Sequence, residues 1–123
     1  MAPLSAEDRV RAICAALPEV TEKLSHGAPA FFVKKQFLMF WPNGHHDHQF
    51  PHLWCAAPEG AQEELTVTQP DRYFRPPYVG GRGWVGVRLE EADWEEVAEI
   101  CKDAYRAVAP PRLIAVLGEA PPG

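Results

Sequence analysis

The stretch AFFVKKQFLMFW, residues 30–41, decides the fold class of this chain of 123 residues. Its two ends, 30–33 and 37–41, are short runs of aromatic and aliphatic residues, which is a composition typical of β-strands. The polar segment 34–36 between them is short enough for a tight turn. These residues therefore predict an antiparallel β-hairpin in the first half of the chain.

Further strands are predicted on the C-terminal side of this hairpin. Apolar residues cluster at 53–57 and at 73–74, and the segment 84–89 alternates between its two faces, as a half-buried strand does. A polar loop over 42–51 precedes the first of these strands. The glycine-rich segment 80–83 is typical of a hairpin turn that requires positive φ. The middle of the chain therefore predicts an antiparallel sheet built from hairpins.

Helices are predicted at the two ends of the chain. Ser5 is a candidate N-cap for a first helix, whose apolar residues recur at helical spacing until Pro18. Asp93 is a candidate N-cap for a longer amphipathic helix that continues to Val108, and a short last helix is expected over 112–117. The sequence thus predicts an α+β fold in which an N-terminal helix precedes the antiparallel sheet. The C-terminal amphipathic helix is expected to pack on that sheet.

The composition is that of an ordinary globular protein, with 46% hydrophobic and 24% charged residues. A single domain over 1–123 is expected, because this length supports one hydrophobic core. No apolar run approaches the roughly 20 residues of a membrane helix, so no membrane partner is expected. Residues 1–8 lack the basic and apolar regions of a secretory signal, so a cytoplasmic location is expected. Three unpaired cysteines are expected to be free thiols there: Cys14, Cys55 and Cys101.

The net charge of −5 at pH 7 argues against a generic polyanion binder. The charge is unevenly distributed, however. Residues 1–22 carry −2 and residues 90–123 carry −5, whereas residues 23–89 carry +2. The acidic residues therefore lie mainly on the predicted helices, and an anionic partner would have to dock on the predicted sheet.

No combination of residues in the sequence is typical of a catalytic site, and the protein is not expected to be an enzyme. Ser25 and His26 are neighbours, but the Gly-Ala-Pro that follows them is typical of a turn. His26 is therefore interpreted as a turn residue rather than as a general base.

A cluster of histidines and one aspartate precedes the third predicted strand. Imidazole and carboxylate groups are good ligands for zinc or copper, but their spacing here matches no metal-binding motif. The sequence therefore predicts neither a metal site nor another cofactor. The residues concerned are His45, His46, Asp47, His48 and His52.

The basic residues of the middle segment support a first binding hypothesis. Two basic hairpin tips can act as wings that contact the phosphates of DNA, in which case binding is weak and falls with salt concentration. The alternative is that these side chains form ordinary surface charge pairs. The candidate residues are Lys34, Lys35, Arg72, Arg75, Arg82 and Arg88.

The aromatic residues support a second hypothesis, from a different class of function. Their side chains can line a pocket on the sheet that binds a small molecule or a peptide. The candidate residues are Phe31, Trp41, Trp54, Tyr73, Tyr78 and Trp84. The sequence does not decide between the two hypotheses, and it leaves the oligomeric state open.

Three segments of the sequence together resemble one known family. Residues 26–37, HGAPAFFVKKQF, resemble the G-x-P-x-F-x-V-x-x-K-x-F start of the MmcQ/YjbR family, in particular its actinobacterial-type members. Residues 72–89 resemble its Pro-x-Tyr turn followed by a Gly-Trp strand, and 93–108 resemble its last helix. The resemblance covers about residues 5–117.

The resemblance implies a CyaY-like α+β fold and the proposed DNA-binding role for which the family is known. In that role two hairpin turns act as a pair of wings. They correspond here to the turn at Lys34 and Lys35, where Lys35 matches the family's hairpin lysine, and to the turn at 80–82.

Overall fold

A computed structural model describes residues 5–42 and 50–118. In this part of the chain, six strands form one antiparallel sheet: β1 (Thr21–Ser25), β2 (Ala28–Val33), β3 (Lys35–Trp41), β4 (His52–Cys55), β5 (Tyr73–Phe74) and β6 (Val85–Arg88). The helices are α1 (Ala6–Ala15), α2 (Ala61–Thr68), α3 (Trp94–Val108) and α4 (Pro111–Gly118), and a single 3₁₀ turn spans Gly80–Arg82. The predicted α+β class is confirmed.

The strand order is β1-β2-β3-β4-β6-β5, and every neighbouring pair is antiparallel. At one end of the sheet, Trp41 pairs with His52, which pairs in turn with Arg88. We call this the Trp41 end. The opposite end, which we call the Lys34 end, carries the β2–β3 turn at Lys34 and the first residue of β6, Val85.

A β-bulge in β3 decides which side chains share a face of the sheet. Phe31 pairs with Leu38 and Phe32 pairs with Gln36, so Phe37 is an extra residue without a partner in β2. In a bulge of this kind, two successive residues face the same way. Phe37 accordingly points toward α3, on the same side as Leu38.

Helices α1 and α3 cover one face of the sheet, which we call the helix face. Phe37 meets Tyr105 of α3 edge to face, with ring centroids 5.8 Å apart. The Tyr105 hydroxyl donates a hydrogen bond to the Pro18 carbonyl at 2.8 Å, which ties the end of α3 to the segment after α1. Both Phe37 and Tyr105 are fully buried, so this contact lies at the centre of the core.

The three cysteines are free thiols, as predicted, and all are buried. Cys14 lies on α1, Cys55 on β4 and Cys101 on α3. Burial raises the pKa of the Cys14 thiol, and a hydrogen bond with Cys55 together with burial raises the pKa of Cys101. Thiols with raised pKa values are poor nucleophiles, so Cys14 and Cys101 act as core residues.

Both predicted helix caps are confirmed. The Ser5 side chain accepts a hydrogen bond from the Asp8 amide at 3.1 Å, and Asp93 accepts from the amides of Glu95 and Glu96. Each cap satisfies amides that have no acceptor within the helix itself.

The structure corrects two expectations. Strand β1 was not predicted, because its residues Thr-Glu-Lys-Leu-Ser are mostly polar and most of them lie exposed at the edge of the sheet. The glycine-rich segment 80–83 belongs to a longer connection, residues 75–84, that joins β5 to β6; a 3₁₀ turn forms there, and the positive φ falls at Gly83. No helix within residues 5–42 and 50–118 is long and apolar enough to cross a membrane.

Candidate functional site

The sheet face opposite the helix face carries Met39, Trp41, Trp54 and Arg88, and we call it the pocket face. The register places these residues together, because Met39 pairs with Trp54 and Trp41 pairs with His52, the partner of Arg88. A cavity of about 590 Å³ lies on this face. It is lined by Ser25, His26, Gln36, Met39, Trp41, Trp54, Tyr78, Val79, Arg82 and Trp84.

Three side chains from neighbouring strands form the floor of the cavity. Trp41 and Met39 come from β3 and Trp54 from β4, and the two indole rings lie 4.9 Å apart between centroids. All three side chains are buried, although they border the cavity. Because strands β3 and β4 are central in the sheet, this floor is held by hydrogen bonds on both sides.

The connection 75–84 forms one wall of the cavity. The Tyr78 ring lies 6.4 Å from that of Trp54, between centroids, and Tyr78 is 78% exposed. Tyr78 also has φ 63°, an unusual conformation for a bulky residue. Farther along, Trp84 borders the cavity, and the Arg82 guanidinium lies 5.3 Å from its ring centroid.

Gln62 of α2 fixes this wall in place. Its side-chain amide donates to the carbonyl of Gly80 at 2.7 Å and to the carbonyl of Trp84 at 2.6 Å. The two carbonyls lie on either side of Arg82, so one side chain determines the position of the 3₁₀ turn. The stem of Arg75 also packs against Gly80, where an added Cβ would lie 2.7 Å from Arg75 Cγ.

Replacing Gln62 with leucine should lower the free energy of unfolding by about 1–2 kcal/mol, because the carbonyls of Gly80 and Trp84 each lose the hydrogen bond from the Gln62 amide, and the Gly80 carbonyl keeps only the one from the Gly83 amide. Glu63→Leu is the matched control, since Glu63 is the next residue of α2 and its side chain is exposed. We expect it to change stability by less than about 0.5 kcal/mol in urea denaturation. Equal losses for the two variants would mean that Gln62 does not fix the wall.

The polar lining residues that the structure describes are Ser25, His26, Gln36 and Arg82. Ser25 is the last residue of β1, and His26 begins the turn that leads to β2. Ser25 Oγ lies 3.2 Å from His26 Nδ1, and His26 has φ 53°. Gln36 comes from β3. Arg82 is the only lysine or arginine among the lining residues that the structure describes, and none of them is acidic.

A second aromatic cluster continues from the pocket toward the edge of the sheet. His52 Nδ1 donates to the Phe50 carbonyl at 2.7 Å, and the Arg88 guanidinium lies 4.1 Å from the Phe50 ring centroid. The Phe74 ring meets Phe50 and His52 edge to face, at 5.8 and 5.3 Å. The floor of the pocket is therefore supported laterally by packed rings.

The structure brings four of the six predicted aromatic residues to the cavity: Trp41, Trp54, Tyr78 and Trp84. The other two lie on the helix face. Phe31 pairs with Leu38 there, and Tyr73 is buried next to α3. Burial and a hydrogen bond with Glu96 raise the pKa of Tyr73. Phe31 and Tyr73 are core residues, because strand alternation points them away from the pocket.

The six predicted basic residues lie at two ends of the sheet. Lys34 and Lys35 are exposed at the Lys34 end, and the connection that carries Arg75 and Arg82 lies at that same end. Arg72 and Arg88 lie at the Trp41 end. Arg72 donates to the Glu91 carbonyl at 3.4 Å, and Arg88 is stacked on Phe50.

Several lining residues were not identified from the sequence, namely Gln36, Met39 and Val79. Ser25 and His26, which precede a predicted turn and are not expected to act in catalysis, also border the cavity. These residues come from separate segments that only the sheet register brings together. No motif in the sequence signals such a grouping.

The histidine-rich segment falls largely outside the described residues. The described residues do not include His45, His46, Asp47 and His48. His52 is described and is a buried residue of β4. Within residues 5–42 and 50–118, no three histidine, cysteine or acidic side chains are close enough to hold a metal ion.

A family model described as YjbR matches residues 15–107, which is most of the chain. The chain belongs to the YjbR family. No curated protein matches its sequence. The fold of this YjbR-family protein is similar to the crystal structure of Deinococcus radiodurans protein DR2400, which contains a DUF419 domain. The TM-score is 0.71 at 19% sequence identity, over 95% of this chain and 91% of that one. At this level of sequence identity the likeness concerns the fold alone.

Proposed function

We propose that this YjbR-family protein is a binding module for a small molecule with a planar aromatic part, and that the cavity on the pocket face is its site. The observation that carries the proposal is the convergence of three tryptophans and Tyr78 on one cavity of about 590 Å³. Cavities of roughly 300–1,000 Å³ lined mainly by apolar and aromatic groups are typical ligand sites.

The lining suits a flat ligand better than a globular apolar one. The rings of Trp41, Trp54 and Tyr78 lie with centroids 4.9 and 6.4 Å apart and are tilted against one another. Aromatic rings prefer offset or edge-to-face neighbours at such spacings. A planar ring can therefore lie in the cavity against Tyr78 and the indoles and cover the exposed Tyr78 side chain.

Titration with the neutral planar probe 2-naphthamide tests this proposal. Three of the four tryptophans border the cavity, whereas Trp94 begins α3, so a Trp94→Phe background makes tryptophan fluorescence report on the pocket. We expect a saturable change with one site. Tyr78→Ala should weaken binding roughly fivefold, because one ring contact is worth about 1 kcal/mol.

Val67→Ala is the control for the Tyr78 variant, since Val67 is also an exposed apolar residue but lies on α2. Its affinity for the probe should equal that of the Trp94→Phe background. Absence of saturable binding, or equal affinity of the Tyr78 and Val67 variants, would contradict the proposal.

We propose DNA binding as the second candidate function, supported by the position of four basic residues. Lys34, Lys35, Arg75 and Arg82 all lie at the Lys34 end, on the two connections that correspond to the family's wings. Of the described residues, none forms a salt bridge with any of these four side chains. Two such connections can each contact the phosphate backbone of one strand of a DNA duplex.

Duplex DNA binding at about 50 and about 200 mM salt tests the second candidate. The variant Lys34→Glu with Lys35→Glu should lower affinity and reduce the salt slope by roughly 2, one for each lost phosphate contact. The matched control is Lys102→Glu with Arg106→Glu, which makes the same charge change on α3. Equal effects of the two double variants, or no binding at low salt, would contradict this candidate.

A further inference from the structure

We infer that the ligand of the pocket is a planar aromatic anion, whose ring lies among the tryptophans and Tyr78 and whose anionic group is held by Arg82. This inference rests on the proposed function above and specifies its ligand class. It begins with the charge of the lining. The chain has 17 acidic and 12 basic residues, and yet the described lining contains one arginine and no acid. The described part of the lining thus has the opposite sign to the protein as a whole.

Unlike Arg11, Arg106 and Arg112 on the helices, Arg82 has no carboxylate partner among the described residues. Arg11 pairs with Glu22, Arg106 with Asp103 and Arg112 with Glu19, at 2.7 to 3.1 Å. The Arg82 guanidinium instead lies over the ring of Trp84. A stacked guanidinium keeps its N–H donors at the edge of its plane, where they can bind a carboxylate or phosphate through two parallel hydrogen bonds.

The position of Arg82 is fixed before any ligand binds. Its backbone lies in the 3₁₀ turn, between the two carbonyls that Gln62 holds, and Gly83 ends the turn with φ 86°. The ring of Trp84 restricts the side chain further. A donor that is already oriented loses little conformational freedom on binding, so more of the ion-pair energy contributes to affinity.

The aromatic floor and the guanidinium together select the ligand shape. Arg82, Trp84 and Tyr78 belong to the same wall, and Trp41 and Trp54 lie on the floor beside it. A flat ring bearing a carboxylate or a phosphate directly on its edge can contact both regions at once. A cationic ligand would place like charges together, and a neutral one would leave the guanidinium without an anion.

Isothermal calorimetry with naphthalenes that differ in one substituent tests this inference. We expect 2-naphthoate to bind at least about tenfold tighter than 2-naphthamide, as charge-assisted hydrogen bonds allow, and naphthylmethylammonium to bind weakest. Comparison of 2-naphthoate with 2-naphthyl phosphate shows which anion fits better. Tighter binding of either anion than of the amide supports the inference.

Arg82→Gln should abolish the preference for 2-naphthoate over 2-naphthamide while changing the affinity for the amide less than about twofold, because only the ion pair is lost. Arg9→Gln is the matched control. Arg9 is also an arginine stacked on a tryptophan, 5.5 Å from the ring centroid of Trp94, but it lies on α1. This variant should keep the full preference.

The possible results separate the two proposals. Equal saturable binding of 2-naphthoate and 2-naphthamide would overturn the inference and leave the pocket proposal standing. Failure of every naphthalene to bind would overturn the pocket proposal itself. A preference for the anion that survives in Arg82→Gln would show that Arg82 is not the anion-binding residue.

Discussion

Replacing Phe37 with alanine should lower the free energy of unfolding by about 3–5 kcal/mol, the largest effect we expect from a single substitution. Phe37 is fully buried, and its ring meets Tyr105 edge to face. The alanine variant leaves a cavity between β3 and α3 that the surrounding backbone cannot close, because β3 is held by strands on both sides. Urea denaturation measures the change.

The control for Phe37 is Phe32→Ala, the same substitution on the other face of the sheet. Phe32 pairs with Gln36, is partly exposed, and has Lys23 5.6 Å from its ring centroid. We expect Phe32→Ala to cost about 1 kcal/mol, in proportion to its smaller buried area. If the alanine variant of Phe37 does not fold, Phe37→Leu should still be less stable than Phe32→Leu. Equal losses in the free energy of unfolding at the two positions would contradict the bulge that turns Phe37 toward the helices.

Replacing Gly86 with valine should lower the free energy of unfolding by about 3 kcal/mol, the upper part of the usual range for overpacking. Intrinsic strand preference alone would predict that this substitution raises the free energy of unfolding, because valine favours strands and glycine weakens them. The structure reverses this preference. A Cβ at Gly86 would overlap the ring of Phe74, its pairing partner on the neighbouring strand β5.

The Phe74 ring has little room to move, because it packs against the rings of Phe50 and His52. The double variant Gly86→Val with Phe74→Ala tests this reason directly. It should be more stable than the sum of the two single losses indicates, since removing the ring removes the clash. Additive losses, or a stabilising Gly86→Val, would show that the ring does not require glycine.

The elements that depend on local sequence were predicted correctly. The segment 30–41 forms β2 and β3 with Lys34 at the turn, and the amphipathic pattern after Asp93 forms α3. These predictions succeed because the signals that they use depend only on residues that are neighbours in the chain. The signals are the aromatic and aliphatic runs, the side-chain N-cap and the terminating proline. Strand β1 was missed for the same reason. An exposed edge strand made mostly of polar residues lacks the alternation of apolar and polar residues that predicts a strand.

The candidate site was predicted only in part, because its residues come together only through the face of the sheet on which each side chain lies. Simple alternation along β3 would place Phe37 on the same face as Met39 and Trp41. The bulge sends Phe37 to the helix face and leaves Met39 and Trp41 at the cavity. Phe31 and Tyr73 belong to the same aromatic class as the pocket residues, but the register assigns them to the core.

The sequence by itself determined the α+β class, the helix caps, the hairpin at Lys34 and the resemblance to the family, because each depends on residues close together in the chain. Only the tertiary structure decided that Trp41, Trp54, Tyr78 and Trp84 share a cavity with Arg82. That grouping requires the register of antiparallel strands, one extra residue in β3, and a distant glutamine that holds the 75–84 connection. A shift of one residue in any strand would exchange its two faces, and no local pattern encodes that choice.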